Sequence, residues 1–79
     1  MKVKRVIEAK ATKVREIVGY PMYSVATLQG GRKIVLDSFY YDNFRYDSEI
    51  PEEGGYFIEE GHSTFFLSEK TFNDRYQKV

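Results

Sequence analysis

The chain has no cysteine and no tryptophan, one histidine, two prolines and no net charge over 79 residues. Without cysteine, neither a disulfide nor a thiolate-bound metal can staple so short a chain. Stability must come from packing or from self-association, near the lower size limit for one hydrophobic core. Residues 1–79 are therefore expected to form a single domain. No apolar run approaches the ~20 residues a helical bilayer span needs. The start, MKVKRVIEAK, is basic but lacks the apolar stretch of a secretory signal. The expectation is a soluble protein of the cytoplasm with no membrane contact.

What the chain does have is rings: seven Tyr and six Phe. Each large ring buries roughly 150–250 Å², so a few of them can supply much of a small core. The charge is also unevenly placed. Residues 1–36 carry a net +6 and residues 37–79 a net −6. Either the halves fold side by side and offset each other, or one face steers toward a charged partner.

Lys2 to Ala11 alternates, with Val3, Ile7, Ala9 and Ala11 on one side, as in a half-buried strand. Thr12 is a candidate cap for a two-turn helix carrying Val14, Ile17 and Val18 and ending at Gly19. A continued strand over 12–19 is the alternative. Tyr20-Pro21 breaks the run. Met22–Gln29 and Arg32–Asp37 read as two strands joined by Gly30-Gly31, a hairpin signal because a type I′ turn needs two positive φ angles. That turn sets Thr27 opposite Ile34 and Val25 opposite Leu36, and places Tyr23, Val25, Ile34 and Leu36 on the core.

The segment DSFYYDNFRYDS at 37–48 has Asp37 or Ser38 as a helix cap. Gly55–Glu60 is expected as a strand with Tyr56 and Ile58 on one side and Phe57 on the other. After the Gly61 turn, Ser63–Leu67 returns with Phe65 and Leu67 opposed to Phe66. Ser68 then caps a short helix that lays Phe72 and Tyr76, one turn apart, on the sheet. Rings on both faces of these two strands require a sheet covered twice, a curled barrel, or a dimer face. The fold expected is α+β: a small curled antiparallel sheet of four or five strands, barrel-like, with a short C-terminal helix.

Three pieces in this order carry a resemblance: Val6–Ala9 (VIEA), Ala26–Gly31 (ATLQGG), and an ending of Gly54-Gly55-Tyr56, Phe65-Phe66-Leu67-Ser68, Phe72 and Tyr76. Together they resemble small bacteriophage proteins of unknown function with a VIEA first strand and a late Gly-Asp-Tyr strand. Gly55 stands where those proteins often carry Asp, and the aromatic segment 37–48 has no counterpart. The resemblance implies a phage or prophage origin and a product acting in a bacterial cytoplasm. It supplies no catalytic residue, cofactor or ligand.

Weighed for chemistry, the residues do not point to an enzyme. His62 is expected in an exposed turn, and neighbouring Ser63 or Ser68 makes no triad without supporting geometry. His62 with Glu59 and Glu60 lacks metal-site spacing. The pairs Glu52-Glu53 and Glu59-Glu60 read as solvated loop charge rather than acid–base groups. The glycine pairs lack a phosphate-loop frame. No cofactor or metal is expected. A basic first half with nearby rings allows a nucleic-acid-binding module, although a neutral chain is far from the pI above ~9 of an overt binder. The crowded acidic residues of the second half allow mimicry of phosphates.

Protein binding fits the composition best. Tyr40, Tyr41, Phe44, Arg45 and Tyr46 form a cluster rich in the residue types that dominate interface energetics. Alternatively Phe39, Tyr40 and Phe44 complete the core. The sequence thus leads to a small phage-encoded binding protein, an inhibitor or modulator of a host defence or transcription protein. Its partner is a host or phage protein, with homodimerisation an alternative and nucleic acid the rival class.

Overall fold

The computed structural model describes residues 9–38, 40 and 48–76. Five strands and a helix follow in chain order: β1 (Ala9–Gly19), β2 (Ser24–Leu28), β3 (Lys33–Leu36), β4 (Tyr56–Glu60), β5 (Ser63–Leu67) and α1 (Glu69–Arg75). The sheet order is β3-β2-β1-β4-β5, and every neighbouring pair is antiparallel. The expected α+β class, with a curled sheet and a short C-terminal helix, is what forms.

The long strand β1 organises the sheet. Its first half pairs with β4, from Ala9 opposite Glu60 to Lys13 opposite Tyr56. Its second half pairs with β2 on the other edge, from Val14 opposite Leu28 to Gly19 opposite Ser24. At the crossing, Val14 faces Leu28 and Glu16 faces Thr27, which leaves Arg15 as an extra residue. Such a bulge bends its strand and tightens the twist. Two hairpins hung on opposite edges of one bent strand give a half-barrel.

The two-turn helix over 12–19 does not form; the strand alternative does. Val14 and Ile17 lie three residues apart and both reach the core, because the extra Arg15 converts a spacing of two into one of three. The bulge therefore imitates a helical period. Ala9 and Ala11, expected on the buried side, are exposed. The remainder of that expected strand, Lys2 to Glu8, lies outside the described residues.

The Gly30-Gly31 hairpin forms with a register one residue from the expected one. The Leu28 N–H donates to Arg32 O at 2.7 Å, and the Gly31 N–H to Leu28 O at 2.9 Å. The loop is thus Gln29-Gly30-Gly31, with φ of +99° and +97° at the glycines, conformations that strain any L side chain. A three-residue loop places Ala26 opposite Ile34 and Val25 opposite Val35. Since strand faces alternate, a slip of one exchanges inside for outside. Ala26, Leu28, Ile34 and Leu36 are buried, whereas Tyr23 and Val25, expected in the core, are not.

The second hairpin follows the sequence closely. Glu60 pairs with Ser63 across Gly61-His62, and Gly61 has a φ of +59°, the first-position glycine of a II′-type turn. Phe57 and Phe66 point to one face and Ile58, Phe65 and Leu67 to the other. Two cores result. One gathers Val14, Ala26, Leu28, Ile34, Leu36, Phe57 and Phe66 inside the curl, with Ile17 and Tyr40 against it. The other sets Ile58, Phe65 and Leu67 under Phe72 of α1, flanked by Tyr56 and Tyr76. Phe72 stacks on Tyr56 at 4.0 Å and on Tyr76 at 5.3 Å. Fully burying one such side chain contributes about 1.5–3 kcal/mol.

The outer edge of β5 is covered. The Glu49 N–H donates to Phe66 O at 2.8 Å, and the Phe66 N–H donates to Ser48 Oγ at 3.0 Å. Ser68 caps α1 by accepting from the Thr71 N–H at 3.2 Å. Its own N–H donates to Glu49 Oε1 at 3.0 Å. Edge, cap and helix are thereby tied into one unit.

Candidate functional site

The first three strands have a buried inner face and an outer one that is exposed at Glu16, Val18, Lys33 and Val35, half-buried at Val25 and buried at Thr27. Cross-strand partners on the outer face form two rows. Glu16, Thr27 and Lys33 make one; Val18, Val25 and Val35 make the other. Val18 is 38% exposed and Val35 51%. Beyond the valines, the β1–β2 connection is closed by a 2.7 Å hydrogen bond from the Tyr20 N–H to Tyr23 O. It stacks the rings of Tyr20 and Tyr23 at 4.8 Å with an 18° interplanar angle. Met22, at the tip, is 85% exposed. Scattered exposed apolar residues are ordinary, but a contiguous group rimmed by charge marks a contact surface. Here three valines, two stacked tyrosines and a methionine adjoin, with Glu16 and Lys33 along one border.

This surface follows from local chemistry. The bulge at Arg15 reverses the parity of β1, so Val18 turns outward while Ile17 turns in. The three-residue hairpin loop reverses β2 against β3 in the same sense, so Val25 and Val35 turn outward. β-branched residues suit an extended, pleated backbone whichever face they occupy. Their strand propensity conceals the fact that they do not face the core.

The cluster expected from the sequence fares differently. Tyr40 is half-buried and packs on the inner core, its ring 6.5 Å from that of Phe66. Its backbone N–H donates to Asp37 Oδ1 at 2.9 Å, so Asp37 provides the expected cap. Burial raises the Tyr40 phenol above its ordinary 10.0, against the opposing pull of Thr64 and of Arg32. Tyr40 thus serves the core, while Tyr41, Phe44, Arg45 and Tyr46, like Phe39, lie outside the described residues.

One ion pair crosses the sheet among the described charged residues. Glu59 lies opposite Lys10 in register and accepts from Arg32 Nη1 at 3.1 Å. The Arg32 guanidinium sits 5.4 Å over the Phe57 ring, and Lys13 Nζ 5.8 Å over that of Tyr56. Tyr76 Oη donates to Glu60 Oε2 at 2.9 Å. A basic residue of the first half thus meets an acidic residue of the second where the β2–β3 loop reaches β4. His62 is exposed in the β4–β5 turn. A cavity of about 290 Å³ lies at the bulge, lined by Lys13, Val14, Arg15, Gln29 and Gly54. Among the described residues, no three His, Cys, Asp or Glu side chains are arranged to hold a metal, and no helix is long and apolar enough to cross a membrane.

Comparison with protein-family models, with curated proteins and with solved structures finds no match to this chain.

Val18, Val35, Tyr20, Tyr23 and Met22 are surface residues that the sequence pattern alone does not single out. A signal was present: Val14-x-x-Ile17 followed by Val18 fits a bulged strand as well as a helix. Gln29-Gly30-Gly31 also allows a three-residue loop as readily as a two-residue one.

Proposed function

We propose that this chain is a small phage-encoded binding protein that acts by covering part of a partner protein, and that the outer face of β1–β3 is the surface it uses. The partner is a host or phage protein, and the effect is inhibition or modulation. One observation supports this most directly: the Val18–Val25–Val35 row adjoins the stacked Tyr20–Tyr23 pair on a face exposed at Val18 and Val35. Tyr gives large contact area at a small loss of rotamer freedom. Met22 adds an adaptable apolar tip. The sequence resemblance to phage proteins supplies the biological setting.

The test is affinity capture from bacterial lysate with the wild-type chain and with Val18→Lys and Tyr23→Ser, each first shown to be folded. A protein retained by wild type and lost with both variants fits the proposal. A partner held equally by all three refutes this face as the site. Loss only with Tyr41→Ala and Tyr46→Ala moves the site to the aromatic segment.

A further inference from the structure

The two outer edges of the sheet are treated differently. Ser48 and Glu49 cover β5, whereas no described residue pairs with the far side of β3. The hydrogen-bond phase of β3 is fixed by the Leu28 N–H donating to Arg32 O. Hydrogen-bonded and non-hydrogen-bonded pairs alternate in an antiparallel ladder. Ile34 and Leu36 therefore bond inward to Ala26 and Ser24. Lys33 and Val35 direct their N–H and C=O groups outward, and Asp37 lies one residue past the end of β3, where its side chain caps the turn at Tyr40. An open row of this kind is a template for another strand.

The geometry points to a second copy of this chain as the occupant, paired antiparallel through β3 about a twofold axis at Val35. In a twofold pairing each register meets itself. With Val35 opposite its own counterpart, Lys33 falls opposite Asp37 of the other copy, twice. Ile34 then faces Leu36, buried residues on the same inner side, and Val35 faces Val35 outside. The Val35 pair gives two backbone hydrogen bonds, and the two flanking pairs about two more, since Asp37 lies past the end of β3. The competing registers are poorer: those centred on Ile34 or Leu36 set Lys33 or Asp37 against Val35 and lose the ion pairs, and those that set Lys33 against Lys33 or Asp37 against Asp37 oppose like charges, which is unfavourable. Asp37 Oδ1 is engaged by the Tyr40 N–H, which leaves Oδ2 for the lysine. Such exposed ion pairs add little affinity; they select the register. The valine rows of the two copies then join into one apolar ribbon across a continuous sheet. Self-association of this kind is independent of the partner proposed above, because it needs no other protein.

Sedimentation equilibrium of the full chain, up to about 1 mM, combined with amide exchange, tests it. A concentration-dependent dimer is expected, in which the amides of Lys33 and Val35 gain protection as dimer forms while those of Ile34 and Leu36 do not change. Val35→Lys places two ammonium groups at the axis and should weaken association by about tenfold or more. Lys33→Asp should act in the same direction, and provides the test should Val35→Lys fail to fold. Val18→Lys, on the same face but two strands from the edge, should leave the dimer unchanged. A chain that stays monomeric throughout overturns the proposal. So does a dimer that Val18→Lys breaks and Val35→Lys spares, since that is face-to-face packing.

Discussion

Gly55 provides the sharpest test of the packing. It stands at the entrance to β4, where its carbonyl accepts from the Val14 N–H at 2.8 Å. A β-carbon there would lie 2.8 Å from Leu67 O and 3.2 Å from Glu52 O, both backbone atoms. That is about 0.6 Å short of ordinary contact with the nearer one. Leu67 is paired with Tyr56 in the β4–β5 ladder, and Glu52 O accepts from the Gly55 N–H, so neither can withdraw without losing a bond. Overpacking of this kind costs roughly 1–3 kcal/mol. The lower entropy of an unfolded chain carrying Ala returns about 0.4–1 kcal/mol. Gly55→Ala should therefore lose about 1.3 kcal/mol, and at most about 2.6 kcal/mol, out of a total near 4–12 kcal/mol for a chain of this length. Urea unfolding followed by far-ultraviolet circular dichroism measures it. Two neighbours calibrate the result. Gly54→Ala meets no atom within 4 Å but has a φ of +83°, so it should lose about 1–2 kcal/mol through backbone strain alone. Gly19→Ala has its nearest atom at 3.9 Å and no such φ, and should be neutral or gain up to about 1 kcal/mol. A Gly55→Ala chain as stable as wild type would refute the close approach, and with it the β1–β4 entry geometry. The same crowding bears on the phage resemblance: Asp at position 55 would need the backbone to move.

Phe66→Ala should cost about 3–5 kcal/mol, since its ring is 1% exposed and 5.1 Å from that of Phe57. Phe72→Ala should cost less, because α1 can resettle on β5, and urea midpoints should rank the two in that order. Ser68→Ala removes the acceptor for the Thr71 N–H and should lower stability by about 1 kcal/mol, with a fall in helical dichroism. Glu49 is held below the ordinary 4.5 first by a hydrogen bond from Thr71, then by the Ser68 amide. Its folded value lies below its unfolded one, so the stability it contributes is present above about 4.5 and is lost as pH falls through the folded value. Urea midpoints from pH 6 to pH 3 should decline less steeply in Glu49→Gln. Deleting Arg15 should keep every β1 partner but straighten the strand. The chain should fold with lower stability, and nuclear magnetic resonance should find the Arg32 guanidinium no longer beside the Glu59 carboxylate.

The C-terminal third was legible because its devices are local. Gly61 needs its positive φ, Ser68 caps the helix that follows it, and Phe65, Phe66 and Leu67 alternate without interruption. The α+β class followed from such pieces. The errors between Thr12 and Leu36 share one origin; the exposure of Ala9 and Ala11, ahead of the bulge, does not share it. A one-residue insertion in a strand, or in a hairpin loop, leaves composition and strand propensity unchanged while exchanging the two faces. Nothing local distinguishes Val18 facing out from Val18 facing in; only its partners Val25 and Val35 decide it. Tyr40 takes the core alternative for a related reason. A tyrosine has both an apolar body and a polar tip, so the same residue type serves a core or an interface, and Phe66 draws this one inward.

The proposed contact face and the edge that no described residue covers follow from the same two irregularities. Arg15 sets the parity of β1 and bends it, which brings Phe57 of one hairpin against Leu28 of the other. That closure buries Val14, Ala26, Leu28, Phe57 and Phe66 inside and leaves Val18, Val25 and Val35 on the outer side. The three-residue loop sets the phase of β3, so that Val35 has both its backbone groups and its side chain directed away from the core. One residue therefore belongs to the apolar row and to the edge that no described residue pairs. Association through the edge would enlarge the face rather than occlude it, because edge pairing consumes backbone groups and leaves the outer side chains open. A partner that needs the doubled ribbon would bind with an apparent affinity that rises with the concentration of this chain. A partner that needs a single copy would bind Val35→Lys weakly only if it touches that valine itself. Titrating one captured partner against wild type, Lys33→Asp and Val18→Lys separates the two. Lys33→Asp disturbs the pairing without touching the valines, and Val18→Lys disturbs the valines without touching the pairing.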